Sequence, residues 1–422
     1  MFQKISLKGS LISLIKSIDM FNYLLKNHHR RVAIIAYNLG LNLDLSQEEL
    51  KNLVYAASLH DIGALSVTER DLLIKMDVEN PQQHEIIGSA MLKSFSPFKD
   101  ISNIIRHHHI KWSDRQIIKD FSTIPRECFI LHLADRIEIL IDATKDILPQ
   151  VPRISTIINT HNGTTFAPWC IEAFNKISVQ ENFWLDIDFK SMDQVLDSLA
   201  STDLDILIDD QDIEALAITF ARVIDYRSPF TASHSTSVAH VSYAIAELAG
   251  LSKDKCNQLK IAGYLHDIGK IAIPNELIEK NTKLTDEEFE KVKLHSYYTY
   301  MILSKLEGLE DICNLASKHH EKHDGTGYPY HITENNFPIE LDILAYADIF
   351  TSLSEDRPYR KGLSQQLILD ILKEFSKSKL SHNIYDLIQS NFDALYQVRT
   401  SAFESSYSFY HKNIDQVITF AS

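Results

Sequence analysis

Two sets of imidazoles and carboxylates run through this sequence in the same order. His28, His60, Asp61, His84, His108, His109 and Asp135 form the first set, and His234, His266, Asp267, His295, His319, His320 and Asp348 form the second. The spacing repeats with the order: 32 residues lead from His28 to His60 and from His234 to His266, and 24 lead from His84 to His108 and from His295 to His319. Any one of these histidines alone would be read as an ordinary surface or core side chain. Seven residues in a fixed order, written twice, need a common chemistry. Imidazole and carboxylate together suit divalent iron, manganese, zinc or nickel, with no thiolate required. Seven side chains exceed what one ion can use, whereas two ions sharing one carboxylate use them all. Two metals about 3.5–4 Å apart clamp the attacking and leaving oxygens in phosphoryl chemistry. The pattern therefore predicts a binuclear metal centre.

Helices must carry these side chains. Leu50–Leu59, Ile213–Ile224 and Lys255–Leu265 place apolar residues at three- and four-residue intervals, the period of an amphipathic helix. Strand-like alternation is scarce, and Gly40 and Gly250 sit where helices should stop. The predicted fold is all-α, with two tandem helical domains. The acidic stretch Asp203–Asp212 reads as a connector, which divides the chain into residues 1–200 and 201–395. Residues 396–422 have no counterpart in the first copy and read as a C-terminal tail. Phe2–Leu25, with Ile5, Leu11, Ile12, Ile15 and Met20 near helical spacing and lysines between, predicts an amphipathic helix rather than a signal peptide.

Composition narrows the partners. The chain has 422 residues, 42 Lys plus Arg against 57 Asp plus Glu, and a net charge of -15. Such acidity argues against a polymeric nucleic acid, whose phosphates need clustered cations. A small anionic ligand needs only a few local cations and metals. Cys128, Cys170, Cys256 and Cys313 are scattered without a CxxC pair, which points to a reducing cytoplasm. No apolar run approaches the roughly 18–20 residues needed to cross a bilayer. Oligomeric state stays open, a homodimer or a signalling partner protein being compatible with the sequence.

The second set lies within longer motifs. His266-Asp267-Ile268-Gly269-Lys270, the run from His319-His320-Glu321 to Gly327-Tyr328-Pro329, and Asp356-Arg357-Pro358-Tyr359-Arg360 together resemble the HD-GYP subfamily of the HD superfamily, over about residues 222–375. The resemblance implies a metal-dependent phosphodiesterase that opens cyclic di-GMP or 3′3′-cyclic GMP-AMP to a linear dinucleotide, by attack of a hydroxide bridging two ions. It implies His234, His266, Asp267 and Asp348 around one ion and Asp267, His295, His319 and His320 around the other. Iron or manganese is the expected metal, with nickel or zinc as alternatives. Asp267 and Lys270 are the expected catalytic residues, Lys270 lying four residues after His266 and so on the same helical face. Gly327, Tyr328, Arg357, Arg360 and Lys270 are the expected substrate contacts, Gly327 letting backbone approach the ligand, and His323 adds a polar contact. Some relatives place a glutamate where this chain has Phe230, which favours two ions over three. Asp342 stands where relatives often carry a basic residue.

The first copy keeps its ligand set and loses the rest. Ala64 replaces the lysine, Ile110-Lys111-Trp112-Ser113-Asp114 replaces the Gly-Tyr-Pro run, and Thr144 and Ile147 stand where arginines are expected. Lost phosphate contacts weaken transition-state binding more than metal binding. Gly163–Trp169 still resembles a late element of the family. The expected role of residues 1–200 is a degenerate HD-GYP-like domain that supports or regulates the second, the layout of tandem enzymes acting on 3′3′-cyclic GMP-AMP. Two alternatives remain at this point: another HD-superfamily nucleotide phosphohydrolase, or a non-catalytic nucleotide receptor or signalling scaffold.

Overall fold

The computed structural model describes residues 27–64, 82–199, 210–226, 232–333 except 305 and 307, 337–356 and 360–415, with short pieces at 5–6, 9, 15 and 207–208. These residues fold as two compact helical units, one within 14–206 and one within 207–416 that also takes in Ile5 and Ser6. The helix expected over Phe2–Leu25 falls almost wholly outside the described residues. Within that stretch Ile5–Ser6 is instead a short strand, antiparallel to Leu207–Ile208 with Ile5 opposite Ile208. Among the described residues, this two-residue ribbon and an isolated bridge between Asn162 and Phe166 depart from a helical fold. The acidic connector is also absorbed at its end: Asp210 and Asp212 form the first turn of the helix Asp210–Asp225, where carboxylates complement the helix dipole.

In the first unit, His28–Asn42 and Gln47–Leu59 form an antiparallel pair. Ser46 sets the entry of the second helix through a capping box with Glu49. Arg126–Ile139 lies against His28–Asn42, and Val32, Ile35, Leu53, Ile130 and Leu133 are buried between them. Gln82–Leu92 and Lys99–Ile105 complete the layer that carries the later histidines.

The second unit repeats this plan. His234–Leu248 and Lys253–Leu265 form the pair, and Ile339–Ser354 takes the place of Arg126–Ile139. Asp286–Leu303 starts from a Thr285/Glu288 capping box and carries His295 at its middle. Among the described residues no helix is long and apolar enough to cross a membrane, and all four cysteines are buried and free of disulfides.

The tail expected from residue 396 is corrected. Residues up to 410 continue the helix Phe392–Tyr410, which packs along His234–Leu248. Tyr226 rests against Phe409 and Tyr410 at ring separations of 6.1 and 5.2 Å, and the Arg222 guanidinium lies 3.7 Å from the Phe409 ring centre. This helix is part of the second unit's core. Tyr410→Ala should therefore destabilise that unit by on the order of 3 kcal/mol in urea unfolding, as for other buried aromatic truncations. An unchanged midpoint would return these residues to the status of a tail.

Candidate metal centres

Each centre is built around the turn that follows a helix. Lys253–Leu265 ends at His266, still in α-helical backbone, and Asp267 and Gly269 follow within one tight turn. A Cβ on Gly269 would lie 1.9 Å from the carbonyl oxygen of His295, and a Cβ on Gly63 would lie 2.1 Å from that of His84. No side chain fits at either place. Glycine thus lets the His-Asp turn press directly on the helix presenting the next histidine. In the second unit Thr299 stitches this contact: its Oγ1 accepts from Gly269 N at 3.1 Å and donates to His266 O at 3.0 Å. The register of the repeat puts Gly88 at the equivalent place in the first unit, so that bridge is missing there.

Backbone carbonyls orient the imidazoles. Nδ1 of His266, His295 and His319 lies 2.8, 2.6 and 2.7 Å from the carbonyls of Gly263, Val292 and Ala316. A carbonyl only accepts, so Nδ1 carries the proton and Nε2 keeps its lone pair for the centre. His234 is held differently, by a Glu355 carboxylate oxygen 3.1 Å from Nδ1. His234, His266 and Asp348 each bring one ligand atom within 4.8 Å of the others, and so do His295, His319 and His320. Asp267 lies between these trios. Its Oδ2 faces His266 at 3.4 Å and His234 at 3.8 Å, while its Oδ1 faces His295 at 3.6 Å.

The electrostatics match a cation site. Burial, with the charges of His266 and His295, pushes His319 down to about 3, and burial pushes His295 down to about 4. Burial acts to raise Asp267, but His266, Lys270 and His295 outweigh it and hold the carboxyl well below its usual range. Neutral imidazoles beside ionised carboxylates are the protonation states that metal ligation requires. The buried Nε2 atoms of His266 and His319 and the Oδ1 of Asp267 have no protein hydrogen-bond partner. Buried polar atoms without partners are costly, and divalent cations would satisfy all three. The donor set fits the group that the sequence predicts.

The first unit carries the same arrangement. Asp61 Oδ2 faces His60 at 3.3 Å and His28 at 3.7 Å, and its Oδ1 faces His84 at 3.6 Å and His108 at 3.8 Å. His28, His60 and Asp135 converge, as do Asp61, His84, His108 and His109. The Glu138 carboxylate lies 2.5 Å from His28 Nδ1. Burial acts to lower His28, but Glu138, Asp135 and Asp61 outweigh it and bring it up to about 9. Arg136, fully buried, spans Asp135 Oδ2 with Nε at 3.1 Å. Where the Gly-Tyr-Pro run is lost, Trp112 N and Ser113 N donate to Thr165 O and Thr164 O. The Gly163–Trp169 element therefore anchors the replacement loop. Thr144 turns to Asp142, and Ile147 is buried, so neither supplies a cation.

Several expected contacts take other roles. Lys270 stands in a 3-10 turn beyond the helix, not on the helical face of His266, and its Nζ is 2.5 Å from Asp267 Oδ2. Arg360 gives its guanidinium to the carbonyls of Ser352, Leu353 and Glu355, closing the end of Ile339–Ser354 rather than reaching for phosphate. His323 pairs with the Asp342 carboxylate at 2.9 and 3.0 Å, which accounts for the acidic residue at 342. Gly327 is required by its own loop: a Cβ would lie 2.4 Å from Glu321 Cα. Tyr328 stays at the centre, its ring 4.7 Å from that of His320. Arg357 and Phe230 lie outside the described residues.

Four carboxylates escaped the sequence reading. Glu355 and Glu138 buttress the first histidine of each centre. Glu321 accepts from Tyr330 N at 2.6 Å and Ile332 N at 3.0 Å, holding the Gly-Tyr-Pro loop. Asp225 accepts from Ser235 N and Oγ at 2.9 and 2.7 Å, capping the helix that begins at His234. His29 also joins His60 and Asp61 in the first unit. Glu321 lies inside the His319–Pro329 motif, but Glu355 and Glu138 sit seven and three residues past the aspartate, so the repeat gives no common signal for them.

Comparison with known proteins agrees with this geometry. Residues 219–384 match a family model described as HD domain, and residues 25–140 match another with the same description. The fold and the paired centres thus define a protein with two HD domains in tandem. The chain belongs to the HD superfamily and, with its Gly-Tyr-Pro loop, to the HD-GYP family within it. It is 28% identical over 410 residues to 3′3′-cGAMP-specific phosphodiesterase 1 of Vibrio cholerae, covering 93% of this chain and 94% of that protein. It is 39% identical over 138 residues to a cyclic di-GMP phosphodiesterase of Thermotoga maritima, covering 32% of this chain and 38% of that one. A crystal structure of a Vibrio cholerae cyclic GMP-AMP specific phosphodiesterase, V-cGAP3, shares the fold with a TM-score of 0.63 at 22% identity, over 93% of this chain and 98% of that one.

Two substitutions probe the construction of the second centre. Gly269→Ala must push the His295 helix away and should cost about 1–3 kcal/mol, with metal content falling in the same protein. Glu355→Gln should keep the fold and weaken manganese affinity by about 10–100-fold, as for other residues that orient a ligating histidine. Full affinity in Glu355→Gln, measured by metal titration, would remove Glu355 from the site.

Proposed function

We propose that the second unit hydrolyses a cyclic dinucleotide to a linear one, with two divalent ions held around Asp267. The observation that carries this reading is the Asp267 carboxylate, whose two oxygens face separate sets of histidines. His234, His266 and Asp348 would complete one ion, and His295, His319 and His320 the other, with iron or manganese as the metal suited to such a donor set. When bound, such a pair supplies charge stabilisation at the phosphoryl oxygens and lowers the pKa of water. The chain's own residues do the rest. Lys270 keeps its ammonium at the Asp267 carboxylate, where it offsets charge developing on a phosphate oxygen. Tyr328, laid over His320, walls the site and turns a flat face toward the substrate. Glu355 and the helix carbonyls hold the imidazoles in one tautomer.

The relatives that align over nearly the whole chain are named for 3′3′-cGAMP, whereas those named for cyclic di-GMP align over shorter stretches. This favours 3′3′-cyclic GMP-AMP as the substrate. A substrate of that class supports a cytoplasmic location for the enzyme. The first unit keeps a ligand set without Lys270, Tyr328 or their equivalents, which supports a regulatory or supporting role for it.

The test is hydrolysis of 3′3′-cyclic GMP-AMP and cyclic di-GMP by manganese- or iron-loaded protein, beside Asp267→Ala, Lys270→Ala and His60→Ala. Linear product is expected from the parent. Asp267→Ala and Lys270→Ala should lower kcat by about a hundred-fold or more, and His60→Ala should retain turnover. Activity kept in Asp267→Ala and lost in His60→Ala would move the chemistry to the first unit.

A further inference from the structure

Beside its metal centre the second unit has a cleft of about 580 Å³, a size typical of small-ligand sites, about 300–1,000 Å³. Leu277, Ile278, Leu284 and Phe289 supply its apolar lining, and the exposed Asn281 and Thr282 line it together with three charged side chains. The cleft is connected to the centre by aromatic rings. Tyr328 lies over His320 at 4.7 Å, and Phe289 meets Tyr328 edge to face at 6.3 Å. Lys293 Nζ lies 5.1 Å from the Phe289 ring and 5.8 Å from the Tyr328 ring, a cation beside both. Phe289 is 43% exposed, so a large apolar face is left open next to a site built for a phosphodiester.

We infer that this cleft is a nucleobase subsite: one purine of the substrate stacks on Phe289, and Asn281 and Thr282 meet its polar edge. The inference rests on the phosphodiesterase reading above. A phosphodiester carries its base on the far side of a ribose, and the Phe289 ring stands one ring further from His320 than Tyr328 does. A purine combines a flat apolar face with a hydrogen-bonding edge, which is the complement of this lining. Adenine presents an amine where guanine presents a carbonyl, and an Asn amide can serve either. The cleft is therefore also where the two bases are told apart.

Steady-state kinetics of the full-length, manganese-loaded protein test this on 3′3′-cyclic GMP-AMP, cyclic di-GMP and bis(p-nitrophenyl) phosphate, which has a phosphodiester and no purine. Phe289→Ala should raise KM for the dinucleotides roughly ten-fold or more, the usual consequence of removing a stacking ring. The kcat on those substrates should change by less than about three-fold, since the loss is of binding shared by ground and transition states. Phe289→Trp should restore KM. Asn281→Ala should shift the ratio of kcat/KM between the two dinucleotides by about five-fold or more. An unchanged dinucleotide KM in Phe289→Ala overturns the subsite and leaves the phosphodiesterase reading intact. An equal loss on all three substrates, with a lowered thermal midpoint, also overturns it by making Phe289 a packing residue. A parent enzyme that cleaves neither dinucleotide overturns the functional reading itself.

Discussion

The contact between the His-Asp turn and the next histidine helix sets the geometry of each unit. At Gly269 the turn meets the carbonyl of His295 with no room for a Cβ, and at Gly63 it meets that of His84 in the same way. This contact fixes the distance between the aspartate and the third histidine. It thereby fixes whether one carboxylate can face two sets of imidazoles at once. The surrounding helices then need only deliver nitrogens to a defined point. They do so by giving Nδ1 to their own carbonyls, so Nε2 has one direction and one tautomer.

Around this shared core the two units diverge in what they offer a substrate. The second unit has Lys270 on Asp267, Tyr328 over His320, and a Thr299 bridge across the glycine contact. The first has Ala64, a loop tied to Thr164 and Thr165, and Arg136 buried against Asp135. Its cation is spent on a ligand carboxylate inside the protein. The cluster of histidines and carboxylates is thus common to both units, while the lysine and tyrosine beside it are found in the second alone.

The repeat made the helical class legible, and the fourteen residues it picks out are gathered by the structure around Asp61 and Asp267, because a fixed fold restricts their spacing. What surrounds the ligands was less legible. Arg360 and His323 carry polar groups that suit phosphate in composition, yet tertiary structure directs them to carbonyls and to Asp342. The four-residue spacing from His266 to Lys270 suggests one helical face, but the chain leaves that helix at His266. Glu355 and Glu138 were invisible for the opposite reason: they reach equivalent histidines from different offsets. The helix Phe392–Tyr410 had no partner in the first copy and so looked like a tail, although its apolar residues close the second core.

The bridging role proposed for Asp267 is most directly tested by anomalous diffraction at the manganese edge from crystals grown with that metal. Two peaks are expected in the second unit, about 3.5–4 Å apart, one on each side of the Asp267 carboxylate. One should lie against His234, His266 and Asp348, and the other against His295, His319 and His320. A single peak at full occupancy, or two peaks that do not share Asp267, would contradict it.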